Sequence, residues 1–174
     1  ALTLPLAAAG APILGVEVER GAVPDLLPRL PPNVTMLAAD ILTADVVPYL
    51  TGLEPQRGAL ARGEASPPRR FRVVGNLPYY IASPILFRLI ALQRQDACFT
   101  DATLMVQREV ADRLLAKPGS KAYGAVSLLV AYHSEAKLLG KVPASVFWPV
   151  PKVESLLVRL TRREPVADLG GPEL

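Results

Sequence analysis

The most chemically informative stretch of this sequence is VVGNLPYYIASP, residues 73–84. An apolar run ends there, and Asn76, Leu77, Pro78 and Tyr79 follow in direct succession. A turn that ends a strand accounts for an asparagine and a proline. It does not account for adjacent aromatic side chains, which gain most when they are buried. We therefore treat this segment as a candidate site, with a turn beside a buried tyrosine as the alternative.

These residue types suit the handling of an aromatic amine. The lone pair of a group such as adenine N6 is delocalised into the ring, so the nitrogen is a poor nucleophile. Two acceptors that hold its N–H groups can aim the lone pair at an electrophile. The side-chain oxygen of Asn76 and the carbonyl of Leu77 can be these acceptors, while Pro78 stiffens the backbone. Tyr79 offers a flat face on which a flipped-out base can stack.

Acidic side chains close the two preceding apolar runs, with Glu17 and Glu19 after the first and Asp40 after the second. In a doubly wound sheet, ligands bind beyond the carboxyl ends of the strands. A carboxylate there can accept two hydrogen bonds from a ribose diol, and a further one can accept from an adenine amine. Solvated strand ends are the alternative interpretation, above all for Glu19.

Hydrophobic periodicity and breaker residues predict the elements that position these groups. Helix 83–93 is expected to begin with Ser83 as its N-cap and Pro84 in its first position, and helix 2–9 to stop at Gly10. Strands alternate with helices and close with a strand pair, which predicts an α/β sheet, mostly parallel, with an antiparallel edge. The polar stretch 51–70 is predicted to be a surface loop. The remaining predicted helices are 21–30, 45–50, 108–117 and 124–132, and the predicted strands are 12–19, 33–40, 71–76, 102–107, 134–142 and 153–162.

Composition narrows the class of protein. A chain of 174 residues with 51% hydrophobic side chains can bury an ordinary core. No apolar run is long enough to cross a bilayer and no basic leader segment is present, so we expect a cytoplasmic protein without a membrane partner. The single Cys98 and the single His133 rule out a cysteine or multi-histidine metal cluster, and we expect both to be structural.

Net charge gives only weak information about partners. A net charge of +3 is compatible with an anionic partner, although arginine preference can equally reflect a GC-rich genome. The basic stretch 67–72 is either a phosphate-contacting patch or a solvated loop. Arg108 and Arg113 are expected to pair with Glu109 and Asp112 on one helix.

Three segments resemble the signatures of one family. NLPY after a strand is similar to the fourth motif of S-adenosylmethionine-dependent adenine N6-methyltransferases. The surroundings resemble the ribosomal RNA adenine N6,N6-dimethyltransferases, whose motifs match in the right order over nearly the whole chain. The matching segments are GNLPYYIASPIL, LMVQREVADRLLAKPGSKAYGAVSLLV and VFWPVPKVESLLVRL. The resemblance implies a Rossmann-like methyltransferase fold, S-adenosylmethionine as cofactor and ribosomal RNA as partner.

The family pattern assigns roles to the cofactor-binding positions. Glu17 corresponds to the acid that binds the cofactor ribose, and Asp40 to the acid that reaches the cofactor adenine amine. Ile41 lies beside the cofactor's adenine ring in this correspondence, and Asn76 is expected to contact the cofactor as well as the target.

The same pattern assigns the target-base positions. The segment 76–79 corresponds to the motif that binds the target adenine. Phe147 corresponds to an aromatic residue that packs on the base from the other side, with Pro149 and Pro151 fixing its loop. A hydrophobic plug is the alternative for Phe147. Trp148 stands at a variable position.

The sequence also departs from the family. The glycine-rich loop G-x-G-x-G is expected directly before Ala1, and a small helical domain is expected after the last strand. We therefore expect residues 1–164 to be an N-terminally truncated catalytic core and residues 165–174 to be a tail or linker toward that domain. The stretch 51–70 is longer than is usual in the family, and Tyr80 stands where asparagine is frequent.

The resemblance implies dimethylation of two adjacent adenines near the 3′ end of small-subunit ribosomal RNA, in ribosome biogenesis, by a monomeric enzyme without a metal. Two alternatives share the motifs. One is methylation of large-subunit RNA of the macrolide-resistance type. The other is an RNA-binding or ribosome-assembly module without catalytic activity.

Overall fold

The computed structural model describes residues 2–52, 71–96 and 99–163. The chain divides into two compact units, residues 1–68 and residues 69–174. Three features of the sequence lie wholly or largely outside the described residues: Cys98, the loop 51–70 with most of the basic stretch 67–72, and the tail 165–174.

The first unit is built around two parallel strands. They pair in register from Ile13 opposite Val34 to Glu17 opposite Ala38. The amide of Asn33 donates to the carbonyls of Ala7 and Ala11, both at 2.9 Å, and so fixes the chain that leads into the first strand. The elements in chain order are α1 (Thr3–Ala7), β1 (Ile13–Glu17), α2 (Ala22–Leu26) with a 3-10 turn (Leu27–Arg29), β2 (Val34–Ala38) and α3 (Val47–Gly52). Gly10 has a φ of 81° just after α1, as the predicted helix stop requires.

The second unit contains a four-stranded sheet. Its elements are β3 (Phe71–Asn76), a 3-10 turn (Tyr79–Ile81), α4 (Ala82–Asp96), β4 (Phe99–Gln107), α5 (Arg108–Leu114), α6 (Ala125–His133), β5 (Ser134–Val142), a 3-10 turn (Ala144–Val146) and β6 (Ser155–Arg162). The strand order is β3-β4-β6-β5. β3 and β4 are parallel, whereas β6 runs antiparallel to both β4 and β5. The predicted α/β fold with an antiparallel edge is thus confirmed, and the edge consists of the last two strands.

The core of the second unit lies between the sheet and α4. Leu104 and Val106 alternate along β4, and Val158 faces the same interior from β6; all three are fully buried. Leu86 and Ile90 recur at helical spacing on the buried side of α4. Burial of each such side chain stabilises the fold by about 1.5–3 kcal/mol. The carboxyl end of β3 is therefore held in place by a well-packed core.

The start of α4 differs from the prediction. The helix begins at Ala82, and the 3-10 turn Tyr79–Ile81 runs directly into it. Ser83 is therefore a helical residue and not the N-cap. The chain is already in helical conformation when it reaches Ser83, because the carbonyl of Pro78 accepts a hydrogen bond from the amide of Ile81 at 3.2 Å.

Ser127 joins α5 to α6. Its buried hydroxyl lies 2.6 Å from the carbonyl of Arg113, to which it donates, and it accepts a hydrogen bond from the amide of Gly124 at 3.1 Å. The Ser127 hydroxyl thus forms hydrogen bonds both to the end of α5 and to the start of α6. His133, at the end of α6, is buried, and its ring meets that of Tyr132 edge-on with 4.7 Å between the ring centroids, as expected of a histidine that packs in the core.

Membrane-crossing helices and metal-binding clusters are both missing from residues 2–52, 71–96 and 99–163. No helix there combines the length and the apolarity that a bilayer crossing requires. Over the same residues, no group of three or more histidine, cysteine or carboxylate side chains is placed to hold a metal ion.

Replacing Ser127 by alanine is expected to lower the free energy of unfolding by about 1–3 kcal/mol, because the buried hydroxyl makes two hydrogen bonds, to the Gly124 amide and the Arg113 carbonyl, and each contributes about 0.5–1.5 kcal/mol. Urea unfolding followed by circular dichroism measures the change. Ser120→Ala is the matched control, since Ser120 is exposed in the same connection. Equal stability of the two variants would show that the hydroxyl contributes nothing.

Candidate functional site

The sheet holds the NLPY segment for one residue beyond the end of β3. The amide of Leu77 donates to the carbonyl of Met105 on β4 at 3.1 Å, and the Leu77 side chain is buried. Pro78 follows with φ −59° and ψ 133°, which turns the chain into the 3-10 turn. Asn76 is exposed at the strand end. An amide side chain and a main-chain carbonyl are thus adjacent at the carboxyl edge of the sheet, on a fixed backbone.

An open concavity of about 250 Å³ lies at this edge. It is lined by the four consecutive residues Asn76, Leu77, Pro78 and Tyr79 and by Phe147, which is remote in sequence. Typical small-ligand sites begin at about 300 Å³, so this volume is close to their lower limit. The structure therefore brings all five residues of the predicted target-base site together.

A second cavity in this unit is enclosed and far smaller. It measures about 20 Å³, lies among core side chains that include Val73, Leu86 and Phe99, and has room for a single water. It therefore gives no second candidate for an organic ligand.

Ser155 fixes the position of Tyr79. The Tyr79 hydroxyl and the Ser155 Oγ are 3.1 Å apart, and Ser155 is fully buried at the start of β6. The far end of the Tyr79 ring is thus bound to the sheet, while part of the side chain stays exposed. Sequence reasoning gave Ser155 no role. The sequence did contain a signal for this role, because Ser155 lies in the segment VFWPVPKVESLLVRL that resembles the family signature.

Phe147 and Trp148 have opposite environments. The amide of Phe147 donates to the carbonyl of Ala144 at 3.1 Å, and the half-buried Phe147 side chain lines the concavity. Trp148 is 94% exposed. A single step along the chain therefore separates an aromatic residue of the site wall from one that faces solvent.

Arg108 anchors the end of the loop that contains Phe147. Its side chain forms an ion pair with Glu154, and its amide donates to the Glu154 carbonyl at 3.1 Å. This corrects the predicted pairing within α5: Arg113 does pair with Glu109 at 2.6 Å, but Arg108 pairs with a residue beside β6. The antiparallel register explains it, because Gln107 lies opposite Ser155 and the next residues outward are Arg108 and Glu154. The hydrogen bond and charge of Arg108 lower the pKa of Glu154, and Glu154 in turn raises the pKa of Arg108.

The predicted cofactor acids lie at the carboxyl ends of the paired strands β1 and β2 in the first unit. The amide of Ala39 donates to the carbonyl of Glu17, the last residue of β1, at 2.9 Å, and Asp40 is the next residue after Ala39. Glu17 Oε1 accepts from the amide of Glu19 at 3.0 Å, and Asp40 Oδ1 accepts from the amide of Leu42 at 2.9 Å. Each carboxylate is thereby oriented by its own turn and keeps acceptor capacity. Ile41 follows directly and is half-buried.

A family model described as "Ribosomal RNA adenine dimethylase" matches residues 21–170. The chain belongs to this family. Among relatives named "Ribosomal RNA small subunit methyltransferase A", this chain is 38% identical to that of Cutibacterium acnes over 171 residues, which is 94% of this chain and 50% of the relative. It is 40% identical to that of Moorella thermoacetica over 172 residues, or 97% of this chain and 56% of the relative. The chain thus spans about half the length of the relatives it matches.

Two solved structures share the fold of this chain. The crystal structure of the 23S rRNA methyltransferase ErmE has a TM-score of 0.64 and 26% identity, and the match covers 91% of this chain and 56% of that one. A dimethyladenosine transferase from Plasmodium falciparum has a TM-score of 0.60 and 22% identity, over 86% of this chain and 55% of that one. The α/β architecture is therefore that of ribosomal RNA methyltransferases.

Gly75→Ala tests whether close packing fixes the NLPY backbone. A Cβ at Gly75 would lie 3.1 Å from Leu77 Cδ2 and 3.5 Å from Leu104 Cδ2, so the Leu77 side chain must move. We expect a loss of about 1 kcal/mol in stability and shifted amide NMR signals for residues 76–79. Gly140→Ala is the control, because a Cβ there meets nothing within 4 Å. Identical behaviour of the two variants would contradict the packing constraint.

The Arg108–Glu154 pair predicts a pH dependence. The pKa of Glu154 lies below its ordinary value of 4.5 in the folded protein, so its contribution to stability is present above that value and is lost as the pH falls through the lowered pKa. We expect wild type to have a slightly higher Tm than Glu154→Gln at neutral pH, and the difference to vanish in acid. Thermal unfolding across pH 2–7 measures it.

Glu135→Gln is the control for that titration, since Glu135 is exposed on β5 away from the loop. A difference between wild type and Glu154→Gln that persists or grows below the lowered pKa would show that the ion pair is not its source.

Proposed function

We propose that the protein containing this chain transfers methyl groups from S-adenosylmethionine to adenine N6 in ribosomal RNA, dimethylating two adjacent adenines near the 3′ end of the small-subunit RNA. The observation that carries the proposal is the concavity in which Asn76, the Leu77 backbone, Tyr79 and Phe147 meet. Membership of the adenine dimethylase family supports it, as does the small-subunit name of the relatives.

The acids of the first unit fit the cofactor. S-adenosylmethionine supplies, when bound, a methyl group activated on a sulfonium. Its ribose diol and adenine amine are hydrogen-bond donors, and an ionised carboxylate is an acceptor only. Glu17 would bind the diol, and Asp40 the amine, with Ile41 giving an apolar contact to the ring. The oriented turns that hold both carboxylates support this assignment.

Asn76 and Leu77 would orient the target nitrogen. The exocyclic amine has two N–H donors, and the two acceptors come from adjacent residues of one fixed backbone segment. The Leu77 amide is bonded into the sheet and Pro78 cannot rotate about φ, so the Leu77 carbonyl keeps its direction. Both acceptors would hold the amine with its lone pair pointing toward the methyl donor. In this arrangement Asn76 would also contact the cofactor.

Tyr79 and Phe147 would clamp the target base. Flipping a base out of its stack costs a few kcal/mol. Stacking on an aromatic side chain returns about 1–3 kcal/mol per base, and two faces can offset the flip. The Ser155 hydroxyl holds the Tyr79 ring in place before the base arrives, which reduces the side-chain entropy lost on binding.

Among the described residues, no acid or base lines the concavity, since the five that line it are Asn, Leu, Pro, Tyr and Phe. This matches the chemistry, because the neutral amine attacks through its lone pair and the alkylated nitrogen then loses its proton readily to water. The role of the residues is to hold and aim the nitrogen, not to deprotonate it.

The ErmE likeness supports methylation of large-subunit RNA as a second candidate. Small-subunit RNA is the better supported substrate, because relatives with that name share 36–42% identity, against 26% for ErmE. The proposal includes a monomeric, cytoplasmic enzyme that uses no metal. A binding module without activity is the third candidate, and one methylation assay separates all three.

Asn76→Ala in the full-length gene product is expected to lower methylation of unmodified small ribosomal subunits by roughly 100-fold or more, because one of two preorganised groups is lost. Transfer of a labelled methyl group from S-adenosylmethionine measures it. Thermal stability is expected to be unchanged, since Asn76 is exposed at a strand end.

Asn76→Asp is the matched variant, because it keeps the size and an acceptor oxygen; it should retain measurable turnover. Normal turnover by Asn76→Ala would refute the role of Asn76. Transfer to large subunits instead would favour the second candidate, and no transfer by wild type to either subunit would favour the third.

A further inference from the structure

Each aromatic residue that lines the concavity is followed by an aromatic residue that is almost fully exposed. Tyr79 is followed by Tyr80, which is 88% exposed, and Phe147 is followed by Trp148, which is 94% exposed. Aromatic side chains in folded proteins typically bury roughly 150–250 Å² each. Two such side chains in water, both next to the same concavity, call for a ligand.

The backbone on each side of the concavity is fixed by hydrogen bonds. Tyr80 lies in a 3-10 turn closed by the Ile81 amide on the Pro78 carbonyl at 3.2 Å. Trp148 follows Phe147, whose amide is bonded to Ala144, and the loop ends at the Arg108–Glu154 pair. The exposed rings thus belong to the same fixed segments that form the wall of the site.

We propose that Trp148 and Tyr80 form an aromatic rim on which the unpaired nucleotides flanking the target adenine stack. The inference rests on the proposed function, because it takes the concavity as the place of the target base. A base that leaves its strand deprives both neighbours of a stacking partner and brings their riboses to the rim. Exposed aromatic faces replace the lost stacking without regard to sequence.

The surroundings of Trp148 favour nucleic acid as the occupant. In the described loop from Pro143 to Glu154, the charged side chains are Lys152 and Glu154, and Glu154 is paired with Arg108. Lys152 therefore adds a positive charge to the loop that contains the exposed ring, which suits a phosphate backbone. The ligand class is single-stranded RNA with accessible bases.

The single tryptophan of the chain provides the test. Trp148 emission is followed while a short oligoadenylate is added, and separately while an abasic ribose-phosphate oligomer of the same length is added. We expect quenching by oligoadenylate and little by the abasic oligomer. In a second measurement that needs no tryptophan, the fluorescence anisotropy of a labelled oligoadenylate, Trp148→Ala should weaken binding by roughly tenfold, and Trp148→Phe should restore most of it.

Salt dependence separates stacking from charge. Trp148→Ala is expected to leave the slope of log K against log salt unchanged, whereas Lys152→Ala should reduce it by about 0.7. Val150→Ala is the matched control, because Val150 is 58% exposed in the same loop but has no stacking face. Tyr80→Ala should weaken binding in the same way as Trp148→Ala.

Absence of quenching by oligoadenylate, equal quenching by the abasic oligomer, or equal losses for Val150→Ala and Trp148→Ala would each overturn the aromatic rim. These outcomes are independent of the methylation assay. Loss of transfer in Asn76→Ala without quenching of Trp148 would leave the proposed function standing and remove the rim. Quenching of Trp148 in a protein that transfers no methyl group would remove the proposed function and leave the rim as a surface that stacks unpaired bases.

Discussion

One hydrogen bond sets the geometry of the candidate site: the amide of Leu77 on the carbonyl of Met105. It extends the parallel pairing of β3 and β4 past the last strand residue, so the chain cannot diverge from the sheet until Pro78. A carbonyl on a free loop would sample many directions, and each would have to be ordered at the cost of conformational entropy when a ligand binds. Here folding of the sheet has already fixed it, and the buried Leu77 side chain holds the same segment from the interior.

The antiparallel edge of the sheet contributes the other half of the concavity. Because β6 pairs with β4 with Ser155 opposite Gln107, the start of β6 lies at the carboxyl end of the parallel strands. Ser155 can therefore reach the Tyr79 hydroxyl, and Glu154 can reach Arg108. A single register thus positions both the tyrosine wall and the phenylalanine loop. A shift of that register by one residue would turn Ser155 to the opposite face of the sheet and separate both contacts.

The local pattern of the sequence predicted the elements well. Strands 71–76 and 134–142 match the predicted bounds residue for residue, and a proline follows each strand within two residues. The contacts that fix the site were not predictable in this way. The partners of Tyr79 and Arg108 depend on a strand pairing between segments that are distant in sequence. The i, i+4 rule correctly paired Arg113 with Glu109, but no such local rule predicts a strand pairing. The error at Ser83 has a local cause, since the 3-10 turn before α4 removes the need for a side-chain cap.

In the proposed function, the concavity would bind the target base and the rim would bind the bases beside it, and these two surfaces differ in kind. Inside, the aromatic residues are half-buried or held through a hydroxyl, and the acceptors are main-chain or amide groups that no pH near neutrality changes. Such a site would favour a flat ring that carries an N–H donor, and its acceptors would not change their protonation near neutral pH. Outside, Tyr80 and Trp148 are almost fully exposed, and stacking on their flat faces discriminates little between bases. In the proposed function, selectivity for adenine would belong to Asn76 and the Leu77 carbonyl, whereas the rim would add affinity for unpaired strands without constraining their sequence.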